Sequence, residues 1–279
     1  MGDWVIGLLG YWVIGLLGYW VIKLLTINDL RNISIPQYPN TPITQYSVLK
    51  NLIHLKILIV AATPFEIAPF RQHLQEQFWP HSDTHFQKEN LEVHLLVAGV
   101  GMTLTAFNLG VLFAKQGFDL AINAGIAGAF NRSLIIGDVV NVTADRFADV
   151  GVEEADGSFT DVHELGLVDA NATPFTDGWL VNPQMDGFDF LPTCKGLTIN
   201  KVHGFQPSID ALLRKYDADV ESMEGAAFFL ACLLAGIPFL EIRSISNYVE
   251  TRNRAGWDLP LAIKNLNEVL AELVGTVNG

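Results

Sequence analysis

Cysteine is nearly absent. The 279-residue chain has two, Cys194 and Cys232, in apolar surroundings and in neither a CxxC nor a Cys/His spacing. That excludes a disulfide framework and predicts reduced core thiols in a reducing, cytoplasmic compartment. The seven histidines are scattered, and no metal or other cofactor is expected from them. Positive charge is also scarce: 17 Lys and Arg stand against 30 Asp and Glu, a formal net charge of -13. A nucleic-acid surface, which needs clustered cations, is excluded as the default reading. What the chain has in abundance is apolar residues, half of the total, enough for one large α/β domain or two small ones.

The first fifty residues stand apart. GDWVIGLL, GYWVIGLL and GYWVIKLL repeat with a period of eight between Gly2 and Leu25, which is neither a heptad nor an eleven-residue coiled-coil period. Three readings stay open: a membrane span over Trp4 to Leu25, a signal anchor, or a translated tandem DNA repeat without a role in the fold. The span lacks a basic leader and a small-residue cleavage site, which favours the third. Membrane contact is expected only if the repeat is a real segment. Asn28 to Gln45 is rich in Asn, Pro, Thr and Ser and reads as a linker. Residues 1–54 are therefore expected to be an extension, and 55–279 the folded domain.

From Leu55 onward, apolar β-branched runs alternate with helical patterns. Strands are predicted over 56–62, 93–99, 120–125, 137–145, 196–202 and 239–246. Helices are predicted from the first strand to about Gln77, over 103–115, from a Ser208 cap through IDALLRKY, and over 223–234. The last helix has the clearest period: Leu259, Ala262, Ile263, Leu266, Val269, Leu270, Leu273 and Val274 share one face. Continuous apolar strands between helices predict a three-layer α/β/α domain with a mixed, largely parallel central sheet.

In such sheets ligands bind beyond the carboxyl ends of the strands, and the unusual residues gather there. The first strand ends in Thr63-Pro64-Phe65-Glu66, the second in Gly99-Val100-Gly101, the third in Gly125-Ile126-Ala127-Gly128. Later ends carry Glu221-Ser222-Met223-Glu224-Gly225 and Ser246-Asn247, followed by Arg252 and Arg254. Each has a structural alternative. Thr63-x-x-Glu66 also reads as a capping box, although Pro69 would interrupt the helix it starts. Glu224 could be a carboxylate at a helix start, and the two arginines a solvated pair partnered by Glu250 and Asp258.

The set AGVG, NAGIAGAF, GDVV, ESMEGAAF and RSISN, in that order, resembles the purine nucleoside phosphorylase/nucleosidase superfamily over Lys56 to Val274. GLTINKVHG and SISNYVETRNRAGWDLPLAIKNLN resemble its futalosine hydrolase branch, which serves a menaquinone route. The resemblance implies a homodimer or larger assembly, a nucleoside substrate, and a 5′-side pocket completed by a neighbouring subunit near 147–152. It implies that Glu66 is the general base for water, that Glu224 holds the ribose hydroxyls and that Met223 packs beneath the sugar. Gly99 and Gly101 leave room for sugar and water, and Val202, His203, Gly204 and Phe205 clamp the base. Asn247 departs from the Asp of methylthioadenosine/S-adenosylhomocysteine nucleosidases. An amide has no titratable proton but can donate to a 6-oxo group, which suits hypoxanthine better than adenine. No Arg lies in the glycine loops, so water is favoured over phosphate as nucleophile. A 6-oxopurine phosphorylase, a methylthioadenosine-type nucleosidase and a non-catalytic membrane-tethered binder remain as alternatives.

Overall fold

The computed structural model describes residues 54–183 and 190–278. The octad repeat and the linker expected after it lie outside the described residues. Strand β1 (Leu55–Ala61) pairs in parallel with β4 (Leu91–Val97) and β5 (Leu120–Ala129). Its apolar run is continuous because both faces are covered. Ile57, Ile59 and Ala61 join one core cluster, while Leu58 and Val60 join another on the opposite face.

The first face is covered by α1 (Pro64–Gln77) and α5 (Leu259–Asn278), through Ile67, Phe70 and Leu74 on one and Leu266, Leu270 and Leu273 on the other. The second face takes α2 (Met102–Phe113) and α4 (Gly225–Ala235), where Phe228 and Phe229 both meet Phe239 edge-on. Helix α3 (Gln206–Lys215) closes a smaller cluster through Ile209 and Leu212. Each of these large apolar side chains contributes roughly 1.5–3 kcal/mol by leaving water. The layers are those expected.

The sheet is mixed. An antiparallel meander of β2 (Trp79–Ser82), β3 (His85–Lys88) and β4 forms one end. No strand is predicted over 79–88, because an exposed edge carrying Pro80 and polar side chains has no apolar run to read. At the other end β9 (Phe175–Thr176) and β10 (Trp179–Val181) flank β6 (Val139–Phe147). In between, β5, β6, β11 (Thr193–Thr198), β12 (Val220–Ser222) and β13 (Phe239–Tyr248) close into a ring. β13 pairs with β5 and β6, β6 with β11, β11 with β12, and β12 with β5. Strands β7 (Gly151–Glu153) and β8 (Phe159–Asp161) form a separate ribbon.

Three local expectations need correction. Strand β5 runs on to Ala129, so Gly125 and Gly128 lie within a strand and not at its turn. Ser208 does not cap α3: Phe205 precedes the first turn, and Ser208 Oγ donates to the Phe205 carbonyl at 2.8 Å. Helix α4 starts at Gly225, which leaves Met223 ahead of it and Glu224 at the N-cap.

Candidate active site

Glu66 is the third residue of α1. Its Oε2 accepts hydrogen bonds from the Thr63 backbone N–H at 2.8 Å and the Thr63 hydroxyl at 2.9 Å. This is the reaching-back arm of a capping box. The other oxygen, Oε1, accepts from the Ile126 N–H on β5 at 3.3 Å. Capping and facing the site are thus done by two oxygens of one buried carboxylate, and the two readings of the motif do not compete. Nor does Pro69 interrupt the helix, which continues to Gln77. A proline ring crowds the carbonyl one turn back and opens the ladder. The Asn267 amide of α5 fills the opening: Nδ2 donates to Glu66 O and Oδ1 accepts from Phe70 N–H, both at 2.8 Å.

Glu224 approaches from the N-cap of α4, and its Oε1 accepts the Gly101 N–H at 2.8 Å. Gly99 and Gly101 have φ of +90° and +93°, backbone that side chains rarely adopt. Burial raises the Glu224 pKa, Arg243 draws it back down, and Glu66 is among the groups that push it up. Gly125 shows how close these groups come. A Cβ there would lie 3.0 Å from both Arg243 Nη1 and Glu66 Oε1.

Arg243 is buried on β13, with Nη2 3.0 Å from Glu241 Oε1. Behind Glu241 lies Asp145, which accepts from the Thr198 hydroxyl at 2.8 Å, and Thr198 in turn accepts from Ala226 N–H at 2.6 Å. Burial, then the charge on Glu241, pushes the Asp145 pKa well up. Two carboxyls in a dry interior cannot both ionise cheaply, and Arg243 sits on Glu241, so the proton belongs on Asp145.

Three residues further along β5 a second group collects around Gly128. A Cβ there would meet Asn247 Nδ2 at 3.2 Å and Glu221 Cγ at 3.7 Å. Asn247 Oδ1 accepts from the Ser246 hydroxyl at 2.8 Å, while Nδ2 donates to Tyr248 O at 3.0 Å. Glu221 takes the His203 backbone N–H at 3.0 Å and its Nδ1 at 2.8 Å. The 202–205 segment is therefore tied down through His203, leaving Val202 and Phe205 exposed. Arg252 N–H donates to Gly204 O at 3.1 Å, and its guanidinium lies over the Trp257 ring at 5.2 Å.

A model of the phosphorylase superfamily matches residues 56–275. The chain belongs to this superfamily. Among its relatives, a futalosine hydrolase of Acidothermus cellulolyticus is 36% identical over 183 residues, 64% of this chain and 74% of that protein. The futalosine hydrolase of Streptomyces coelicolor is 30% identical over 208 residues, covering 70% and 87%. A 5′-methylthioadenosine/S-adenosylhomocysteine nucleosidase of Colwellia psychrerythraea is 28% identical over 244 residues, covering 81% and 98%. The crystal structure of the Colwellia psychrerythraea nucleosidase with adenine shares the fold, with a TM-score of 0.64 at 20% identity, over 80% of this chain and 96% of that one.

Within this superfamily fold the structure brings Glu66, Glu224, Gly101 and Arg243 to one point, and Asn247, His203, Gly204 and Arg252 to the next. Met223 lies half-buried between Glu221 and Glu224. Arg254 opens a 3-10 turn, Arg254–Gly256, and is exposed. The expected partners of the two arginines are engaged elsewhere: Glu250 pairs with Arg132 at 3.0 Å, and Asp258 Oδ1 accepts from Leu261 N–H. Sequence reasoning assigned no role to Arg243, Glu241, Asp145, Glu221 and Asn267, although Glu221 stood among the residues at the strand ends and Arg243 opened the RSISN motif. For two of them a signal existed, since Glu241 and Arg243 are charges at alternate positions of an otherwise apolar strand.

Proposed function

We propose that the chain hydrolyses the N-ribosidic bond of futalosine, releasing hypoxanthine and dehypoxanthine futalosine in a menaquinone route. The observation that carries this reading is the pair of carboxylates, buried Glu66 and half-buried Glu224, beside a guanidinium that faces Glu241. A site that receives phosphate needs several convergent cations, and Arg243, already facing Glu241 at 3.0 Å, is the one guanidinium among the described residues here. Water is then the nucleophile. Glu66 takes its proton, Glu224 grips the ribose hydroxyls with Met223 beneath, and positive character at C1′ develops between the two acids. The Gly99 and Gly101 turn gives sugar and water their room.

The step from Gly125 to Gly128 is roughly 10 Å at ~3.3 Å per residue, which separates a sugar end from a base end. At the base end the 202–205 segment clamps the ring, and Asn247 donates to a 6-oxo group. The amide has no proton to transfer, so the leaving base is helped by hydrogen bonding and water. Arg252 and Arg254 carry no ion pair among the described residues and serve the benzoate of the 5′ extension. The names of the relatives with 30–36% identity support the substrate.

The acting unit is residues 55–279, assembled as a homodimer or larger in the cytoplasm, with 1–54 an extension outside it. Among the described residues no helix is long and apolar enough to cross a membrane. Incubation with futalosine, inosine and methylthioadenosine, with and without phosphate, tests the proposal. Phosphate-independent hypoxanthine release from futalosine is expected. Release that requires phosphate makes the chain a phosphorylase, and faster adenine release from methylthioadenosine makes it the other nucleosidase.

A further inference from the structure

Far along the sheet from the acids, the β3–β4 hairpin gathers imidazoles. His85 and His94 face each other across the antiparallel pair, with rings stacked 4.1 Å apart at 17°, and His81 stacks on His85 at 4.7 Å. Glu92, two residues before His94, projects from the same face of β4. Its Oε2 lies 3.2 Å from His94 Nε2 and 3.3 Å from His85 Nε2, and its Oε1 lies 2.8 Å from His54 Nε2. The His85 Nε2 is shut away from solvent and makes no hydrogen bond. A buried ring nitrogen without a partner costs free energy unless something fills its lone pair or takes its proton.

We propose that His85, His94 and Glu92 bind a divalent d-block cation of the zinc type, with His54 holding the other carboxylate oxygen of Glu92. Imidazole nitrogen with one carboxylate is a donor set for that borderline-soft class and not for calcium or magnesium. A tetrahedral ion with bonds of about 2.0–2.1 Å has ligands about 3.3–3.4 Å apart. The two Nε2–Oε2 separations already have that size. The ligating atoms of His85, Glu92 and His94 all lie within 4.8 Å of one another. Binding turns the stacked rings so that each lone pair aims at the ion. It fills the unpartnered nitrogen and ties the start of β1 to the β3–β4 edge. The absence of a metal site expected from the sequence is thereby set aside. His81 and His85 are four apart, but a hairpin and not a helix sets their geometry, and the other ligands arrive through strand register.

The test is a zinc titration of the full, untagged chain after chelator treatment, by calorimetry, with cobalt as a visible-spectrum probe of tetrahedral coordination. One ion per chain at micromolar concentration or tighter is expected, with a rise in Tm. His85→Gln and Glu92→Gln should each weaken binding by at least about tenfold, the loss that even outer-shell changes cause. Both side chains are partly exposed on an edge hairpin, and circular dichroism checks their fold. His54→Gln, at a half-exposed position, replaces either variant that fails that check. No saturable zinc binding by the parent chain overturns the proposal, as does parent-like affinity in the folded variants. Base release by the metal-free chain should be undiminished, which separates this ion from the catalytic chemistry.

Discussion

Glu66 holds its own helix start and faces β5 with the same carboxylate, and that doubling can be taken apart. Gln fits a capping box as well as Glu does, so Glu66→Gln should leave the Tm nearly unchanged while cutting kcat by ~10²–10⁴. Near-parent turnover would return the residue to capping alone. Glu224 answers to pH. Burial raises its folded pKa above the ordinary carboxylate range, so as pH rises the unfolded chain ionises first. The carboxyl therefore costs stability from the unfolded value upward through the folded one. Glu224→Gln should be more stable than the parent at neutral pH, measured by thermal unfolding, yet slower on ribosides. With the ionised form proposed as the grip on the hydroxyls, the acid limb of kcat in the parent should lie higher than an ordinary glutamate would set it. If 2′-deoxy substrates are cleaved equally fast, Glu224 is not that grip.

Helices α1 and α5 show how an element positions a residue. The amide of Asn267 spans the turn that Pro69 opens, at the carbonyl of Glu66 itself. Asn267→Ala should cost roughly 1–3 kcal/mol for each buried group left unpaired, and should lower kcat with little change in KM. Adding Pro69→Ala, which restores the ladder, should return part of both losses; no recovery would show that Asn267 does not act through that turn. At this scale the sequence was legible where burial is one-sided or total. The 3.6-residue period displayed α5, and largely apolar runs displayed β1, β4, β5 and β13. It was illegible where structure is polar or crosses the chain. The β2–β3 edge has no apolar signature. The Asn267 bridge joins positions two hundred residues apart, and Arg243, though visible with Glu241 as a charge in a largely apolar strand, gave no sign of which acids it would face. The acids Glu66 and Glu224 were readable because strand ends mark the site before any distance is known.

At the scale of the molecule, Leu104, Phe107 and Val111 are exposed along α2 at helical spacing, beside Val97 and Val100. Such a stripe next to the Gly99–Gly101 turn suits a second copy of the chain. Phe107→Glu should convert the assembly to monomers by light scattering and weaken activity; a parent that is already a fully active monomer contradicts the assembly. Removing residues 1–54 should leave fold and turnover intact, as circular dichroism and base release would show. The ring of strands carries a further consequence, for biosynthesis. β13 leaves the ribosome last of the five, yet its seat is the gap between β5 and β6. Until it arrives, both neighbours wait with unpaired edges and an uncovered core, the state that chaperones capture and aggregates grow from. A product terminated before Phe239 is thus no fragment of an enzyme but a load on quality control, because the strand that brings Arg243 and Asn247 is also the one that seals the sheet.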